Sequence, residues 1–285
     1  MKKVQDFSSE VSTTLDKEPK ILWKVLIIIF ILAVLSIWSV SSMTTVVINN
    51  DGLKVVWNIL KYFVWPDAKP DPADHVIVKY FLTLESYGIP YLMYETVMIA
   101  FIGTLLGGML SIPIAFMSSK NITGRFVSNI GIIMITLIRT LPVFIWAMFF
   151  VTVKGGAFAG VLAISVTSVG MISKLFIESI EDIDKGILEA LDSTGATVIQ
   201  KIRYGIIPQL TANFLSTIIY RFEINVKNAT ILGMVGAGGI GFTLLDAIGS
   251  FNFPVVAICL WGIIPVVFVI EFFSTRIRTK LTTGE

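Results

Sequence analysis

Long apolar runs separated by short polar stretches make up most of this chain. They cover Ile21–Val40, Leu92–Met117, Val127–Val151, Ala157–Ile177, Leu210–Val226 and Phe253–Phe273. Most reach about 20 residues, the length at which a helix crosses roughly 30 Å of hydrocarbon. Lipid offers no partner to a free N–H or C=O, so such runs close their own hydrogen bonds as helices. The pattern predicts an all-α integral membrane protein with six transmembrane helices.

The polar stretches predict how those helices are joined. Residues 1–20 are charged and aperiodic and form a cytoplasmic N-terminal tail. The 21–42 segment is longer than the roughly 7–15-residue core of a signal peptide and no Ala-x-Ala follows it, so it is expected to persist as the first transmembrane helix. Residues 43–90 form an extracytoplasmic loop. Within that loop, Leu53-Lys-Val-Val-Trp-Asn-Ile-Leu-Lys-Tyr-Phe63 has the spacing of an amphipathic helix, is ended by Pro66, and suits a membrane surface. A core of five helices follows over 91–275, carrying a charged loop at 178–208, and 276–285 is a second cytoplasmic tail.

Lysine and arginine decide the orientation. Lys2, Lys3, Lys17, Lys20 and Lys24 fall on one side, as do Lys120 and Arg125, then Lys174, Lys185, Lys201 and Arg203, then Arg276, Arg278 and Lys280. Only Lys54, Lys61, Lys69, Lys79, Lys154 and Lys227 fall on the other. The richer side is the cytoplasm, which puts both termini inside. No internal repeat is visible, so a second copy would have to supply any symmetry a transport path needs.

Composition agrees and removes other classes. Hydrophobic residues make up 55% of the chain and charged ones 15%, with a mean hydropathy of +0.83; a soluble domain carries about 25% charged residues. A net charge of +2 gives no reason to expect nucleic acid. Cys259 is the lone cysteine and His75 the lone histidine. No intramolecular disulfide is possible, and neither a His-based metal site nor a Ser-His-Asp triad is supported. His-Glu-x-x-His and Gly-x-Ser-x-Gly are both missing from the sequence, so no catalytic, metal or cofactor site is expected.

The 178–208 loop holds the most informative segment, Glu189-Ala-Leu-Asp-Ser-Thr-Gly-Ala-Thr-Val-Ile-Gln-Lys-Ile-Arg-Tyr-Gly-Ile-Ile-Pro208. It reads as two short helices around Gly195, stopped by Pro208. Ile183, Ile187, Leu188 and Leu191 make one apolar face, and Val198, Ile199 and Ile202 make another. Such a hairpin is either an ordinary loop packed on its own bundle or a docking element with a bare glycine where a partner backbone approaches. The segment resembles the EAA loop of bacterial ABC importer permeases. Glu189, Ala190, Gly195 and Pro208 fall in register with that motif, while Leu191 replaces an alanine, Gly205 an isoleucine and Ile207 a leucine. The resemblance implies that Glu189, Ala190, Leu191 and Gly195 contact a separate ATPase and that Pro208 opens the next helix. The chain has no Gly-x-x-x-x-Gly-Lys-Ser/Thr phosphate loop, so the ATPase must be another subunit.

Gly236-Ala-Gly-Gly-Ile-Gly241 matches the Gly-x-Gly-x-x-Gly dinucleotide pattern, but no βαβ unit surrounds it. The physical reading of Gly236, Gly238, Gly239 and Gly241 is irregular backbone at membrane depth, tolerated where protein or a water-filled cavity lines it and often set beside a substrate path. Three further stretches carry a resemblance. Ala229–Phe242 is similar to a segment shared by phosphonate and methionine permeases. Thr96–Phe116, closing at Asn121, and Arg139-Thr-Leu-Pro-Val-Phe-Ile-Trp-Ala147 resemble phosphonate-type (PhnE-type) permeases, which have a MetI-like, type I importer fold.

Two features inside the spans complete the reading. Gly103, Gly107, Ser111 and Ala115 form a small-residue stripe that lets helices approach, either within the subunit or at a dimer contact. Arg139 sits within the third run, where burial costs about 2.5–3.5 kcal/mol, and either pairs with Glu95 or Glu223 or meets an anionic substrate. Glu223 and Lys227 are four apart and can pair locally. Pro142 cannot donate to the helix ladder and should kink the run. Taken with the resemblance, the expected protein is the permease of an ATP-driven importer in a bacterial inner membrane, most closely for phosphonate, phosphite or a phosphate ester. Its expected partners are the lipid bilayer, a second permease copy, two ATPase subunits and an extracytoplasmic binding protein. A methionine or other small-solute importer and an ATP-independent secondary transporter are the alternatives.

Overall fold

The computed structural model describes residues 21–42, 50–64 and 84–283, and every regular element among them is helical. Two compact units divide between Val55 and Val56. The first carries α1 (Ile21–Ser42) and the opening of α2 (Asn50–Val64). From Trp23 to Ser39 every α1 side chain is exposed, and nearly all are apolar. A helix apolar on all sides needs cover, from other protein or from lipid.

The second unit opens on the remainder of α2, where Val56, Trp57, Leu60 and Val64 are exposed at helical spacing. Phe63 stacks on Trp261 with ring centroids 5.6 Å apart, and the Trp261 indole N–H donates to the Phe63 carbonyl at 2.8 Å. The bundle itself consists of α3 (Ile89–Ser118), the single turn α4 (Lys120–Thr123), α5 (Arg125–Thr140), α6 (Val143–Val153) and α7 (Ala157–Glu181). Next come α8 (Lys185–Ser193), α9 (Val198–Gln200), a π-helical turn at Lys201–Ile206 and α10 (Ile207–Leu232). A 3₁₀ turn at Gly233–Val235, α11 (Gly241–Gly249) and α12 (Phe253–Thr283) complete the chain.

α3 and α7 are the central pair. Lipid supplies no hydrophobic drive between helices, so close approach over small residues does that work. A Cβ added to Gly103 would lie 2.7 Å from Ile164 Cγ2, and one added to Gly107 would lie 2.6 Å from Ser168 Cβ. Ser111 and Ala115 are fully buried on the same face. The stripe is therefore used inside the subunit, one of the two roles open from the sequence.

Among the described residues three helices, α3, α7 and α12, are each long and apolar enough to cross a membrane, against six expected. α5 and α6 make a fourth crossing if the pair is one span, bent by 83° at Leu141–Pro142. The proline lacks the N–H that would carry the ladder through, and Leu141 turns extended before it. α10 has the length, at 26 residues, but carries Gln209, Asn213, Arg221, Glu223, Asn225, Lys227 and Asn228. Of these, Arg221, Glu223 and Asn225 are buried, while Gln209, Asn213 and Lys227 are exposed. The described apolar stretch of α1, Trp23–Ser39, is shorter than a full span.

Candidate functional sites

The 178–208 loop is built from caps. The Asp184 carboxylate accepts from the Gly186 N–H at 2.9 Å and starts α8. α8 ends in a six-residue closure: Gly195 N–H donates to Asp192 C=O at 3.0 Å and Ala196 N–H to Leu191 C=O at 3.2 Å. That closure needs a left-handed residue, and Gly195 has φ of 73°. Thr197 and Gln200 form a reciprocal capping box for α9. Pro208 lies in the first turn of α10, where its missing N–H costs nothing. Asn121 Nδ2 donates to Ile180 C=O at 2.7 Å and Lys120 N–H to Glu181 Oε1 at 2.9 Å, tying the α3–α5 connector to the loop's root. Lys201 and Asp192 pair across the hairpin.

The two apolar faces of this loop divide their work. Ile183 and Ile206 are buried in the cluster around Phe176, with Leu188 and Ile202 packed against it. Ile187, Val198 and Tyr204 are exposed, and Ile199 is 76% exposed. Glu189, Ala190 and Gly195 are exposed too, and a Cβ on Gly195 would meet nothing within 4 Å. Two departures from the EAA pattern meet each other here: Leu191 Cδ1 lies 2.7 Å from where a Gly205 Cβ would be. The larger side chain at 191 fills the space vacated at 205.

The glycine stretch forms one tight turn between α10 and α11. Gly236, Gly238 and Gly239 all have φ near +80°, open to glycine and strained for other residues. Gly156 N–H donates to Gly236 C=O at 2.8 Å, and Ile240 N–H donates to Thr96 Oγ1 at 3.0 Å. A Cβ on Gly238 would lie 2.7 Å from the Ala157 N and 3.0 Å from Glu95 Oε1. A Cβ on Gly241 would lie 2.9 Å from Gly233 Cα. The turn is thus wedged between the starts of α3 and α7.

Arg139 and Pro142 stand apart from that turn, at the α5–α6 break. The Arg139 stem lies against Gly170 of α7, its residue is exposed, and it makes no ion pair among the described residues. Neither expected carboxylate reaches it. Glu223 is taken by Ser274 Oγ at 3.1 Å, Arg278 Nη2 at 3.2 Å and Lys227 Nζ at 3.4 Å. Lys227 also pairs with Glu271 at 2.8 Å, joining α10 to α12.

A second charge went unused in the sequence reading. Arg221 lies midway along α10, 9% exposed, with Nε donating to Ser168 Oγ at 3.4 Å. Asn225, one turn on and fully buried, donates to Ser168 Oγ at 2.7 Å and to Thr104 Oγ1 at 2.8 Å. The available signal was the density of polar residues in the fifth run, where Arg221 is as costly as Arg139.

A helical membrane subunit with an exposed, capped loop and charged residues inside its bundle is built as the membrane component of a transporter. Residues 103–283 match the family of binding-protein-dependent transport system inner membrane components, and the chain belongs to that family. A putative phosphite transport system permease, HtxC of Stutzerimonas stutzeri, is 37% identical over 80% of this chain and 76% of its own length. A putative cryptic phosphonate transport system permease, PhnE2 of Escherichia coli (strain K12), is 43% identical over 41% of this chain and 96% of its own. Among solved structures, the inward-facing MetNI methionine ABC transporter matches with a TM-score of 0.59 at 18% identity, over 69% of this chain and 97% of that one. At that identity the likeness speaks for the fold.

Proposed function

We propose that this chain is the permease of an ATP-driven importer that carries a phosphorus oxyanion, a phosphonate or phosphite, into the cell. The observation that carries the substrate class is its identity with permeases named for phosphite and phosphonate transport, 37% and 43%. The phosphonate-type segments at 96–121 and 139–147 point the same way. ATP is hydrolysed by a separate subunit, two copies per transporter, docked on the 178–208 loop through Glu189, Ala190, Leu191 and Gly195, with Pro208 setting where α10 begins. The exposed Ile199, Val198 and Tyr204 beside them suit such a contact.

In this reading a second permease copy completes the path and an extracytoplasmic binding protein delivers the substrate. The chain crosses six times through α1, α3, the bent α5–α6, α7, α10 with its glycine turn, and α12. The tails 1–20 and 276–285 are cytoplasmic, 43–90 is extracytoplasmic, and 91–275 is the transport core. The break at Arg139–Pro142 and the turn at Gly236, Gly238, Gly239 and Gly241 are the moving parts of the path.

The test is made in cells with the gene deleted. Growth on phosphite or methylphosphonate as sole phosphorus source should be lost and restored by the gene, and a tagged copy should bring down an ATP-binding subunit. Normal growth of the deletion strain on both, with methionine uptake lost instead, would end the phosphorus assignment and leave the importer. A tagged copy that supports uptake with no ATPase attached would end the importer.

A further inference from the structure

Arg221 is a buried cation with no counter-ion among the described residues. It lies near the middle of α10 and bonds Ser168, near the middle of α7; Asn225 bonds Thr104, midway along α3. These three helix centres lie on the order of 20 Å from their ends at 1.5 Å per residue, which is bilayer midplane depth for α3 and α7 as spans. Among the described residues no carboxylate lies within 4 Å of Arg221. Nearby Glu223 points to Arg278 and Lys227 instead.

The unused hydrogen-bonding capacity is specific. Two described side-chain atoms are sealed and without a partner, and one is Asn225 Oδ1. The terminal nitrogens of Arg221 are not among those sealed atoms, so they keep accessible surface although the residue is 9% exposed. A guanidinium fork offers paired donors to a tetrahedral oxyanion, while Asn225 and Ser168, both fully buried, can only position that fork. Intramembrane charges of this kind mark substrate paths, and transporter sites lie near the midplane.

We infer that Arg221, positioned by the buried Ser168 and Asn225, forms a midmembrane site that holds a phosphorus oxyanion in transit. This rests on the phosphorus-oxyanion reading above. The contact is transient: a single arginine without a second cation releases its anion readily.

The test uses the full-length protein in deletion cells, reading uptake of phosphite and of methylphosphonate, membrane abundance and the melting temperature of the purified protein. R221Q keeps a donor for Ser168 and removes the charge; it should lower uptake at least tenfold at unchanged abundance, and R221K should retain more than R221Q. N225D places a carboxylate one turn from Arg221, and the Ser168 and Thr104 hydroxyls can reverse to donate to it. It should keep or raise the melting temperature while lowering uptake at least tenfold, because an internal carboxylate occupies the guanidinium. R221Q or N225D importing within twofold of wild type overturns the site and leaves the substrate class standing. If R221Q is missing from the membrane, N225D decides; if N225D is missing too, the network is structural and the site is overturned. If the wild-type protein imports neither compound, the substrate class falls and this site falls with it.

Discussion

At Leu191 and Gly205 the sequence departs twice from the pattern it otherwise follows, and the two positions touch. A Gly205→Ile change alone forces a side chain into Leu191, and overpacking of this kind costs about 1–3 kcal/mol. Leu191→Ala alone leaves a void. The double variant should recover most of the lost stability, because contacting residues couple by about 0.5–3 kcal/mol. Melting temperatures of the four purified proteins measure this; strictly additive losses would mean that 191 and 205 do not share the space. Gly195 illustrates a different residue-level limit. Its position in the loop was legible, whereas its left-handed backbone was not, since a docking glycine and a capping glycine look alike in sequence.

Among the elements, the α3–α7 pair carries the bundle's closest approach. A side chain at Gly107 would run into Ser168 Cβ at 2.6 Å and the Ser165 carbonyl at 2.8 Å, backbone that cannot move aside. Gly107→Leu should therefore abolish recovery of folded, monodisperse protein in detergent. Gly249→Ala, where a Cβ meets nothing within 4 Å, should shift stability by no more than about 0.5 kcal/mol. Full recovery of Gly107→Leu would show that the two helices can separate without loss. The helical runs themselves were readable because apolar length is a local property. The 83° break was only half readable: Pro142 announced a kink, but its size depends on where α6 finds packing against α7.

For the whole molecule, orientation is the property that every functional assignment needs. In a Cys259→Ser background, which removes the lone and buried thiol, a cysteine at Lys154 should react with an impermeant reagent added outside intact cells. A cysteine at Ser193, exposed beside Gly195, should react only after the membrane is opened. Labelling of Ser193→Cys from outside would put the 178–208 loop on the wrong face for an ATPase and end the docking assignment.

Apolar run length, the Glu189–Pro208 spacing and the phosphonate-type segments were enough to give an all-helical membrane chain and its transport family. Each is a local feature that survives without knowing which helix meets which. The local Glu223–Lys227 pair was legible from spacing, whereas the pairings between helices were decided only by the tertiary structure. Arg139 was the arginine the sequence singled out, yet it lies exposed at a helix break without an ion pair among the described residues. Glu223, a candidate partner for it, is drawn to α12 by Arg278 and Ser274, residues more than 50 positions away. Arg221, passed over in the sequence, is the one enclosed, because Ser168 meets it only when α7 packs against α10. Burial of a charge is a property of the neighbours, and neighbours distant in sequence are set by packing.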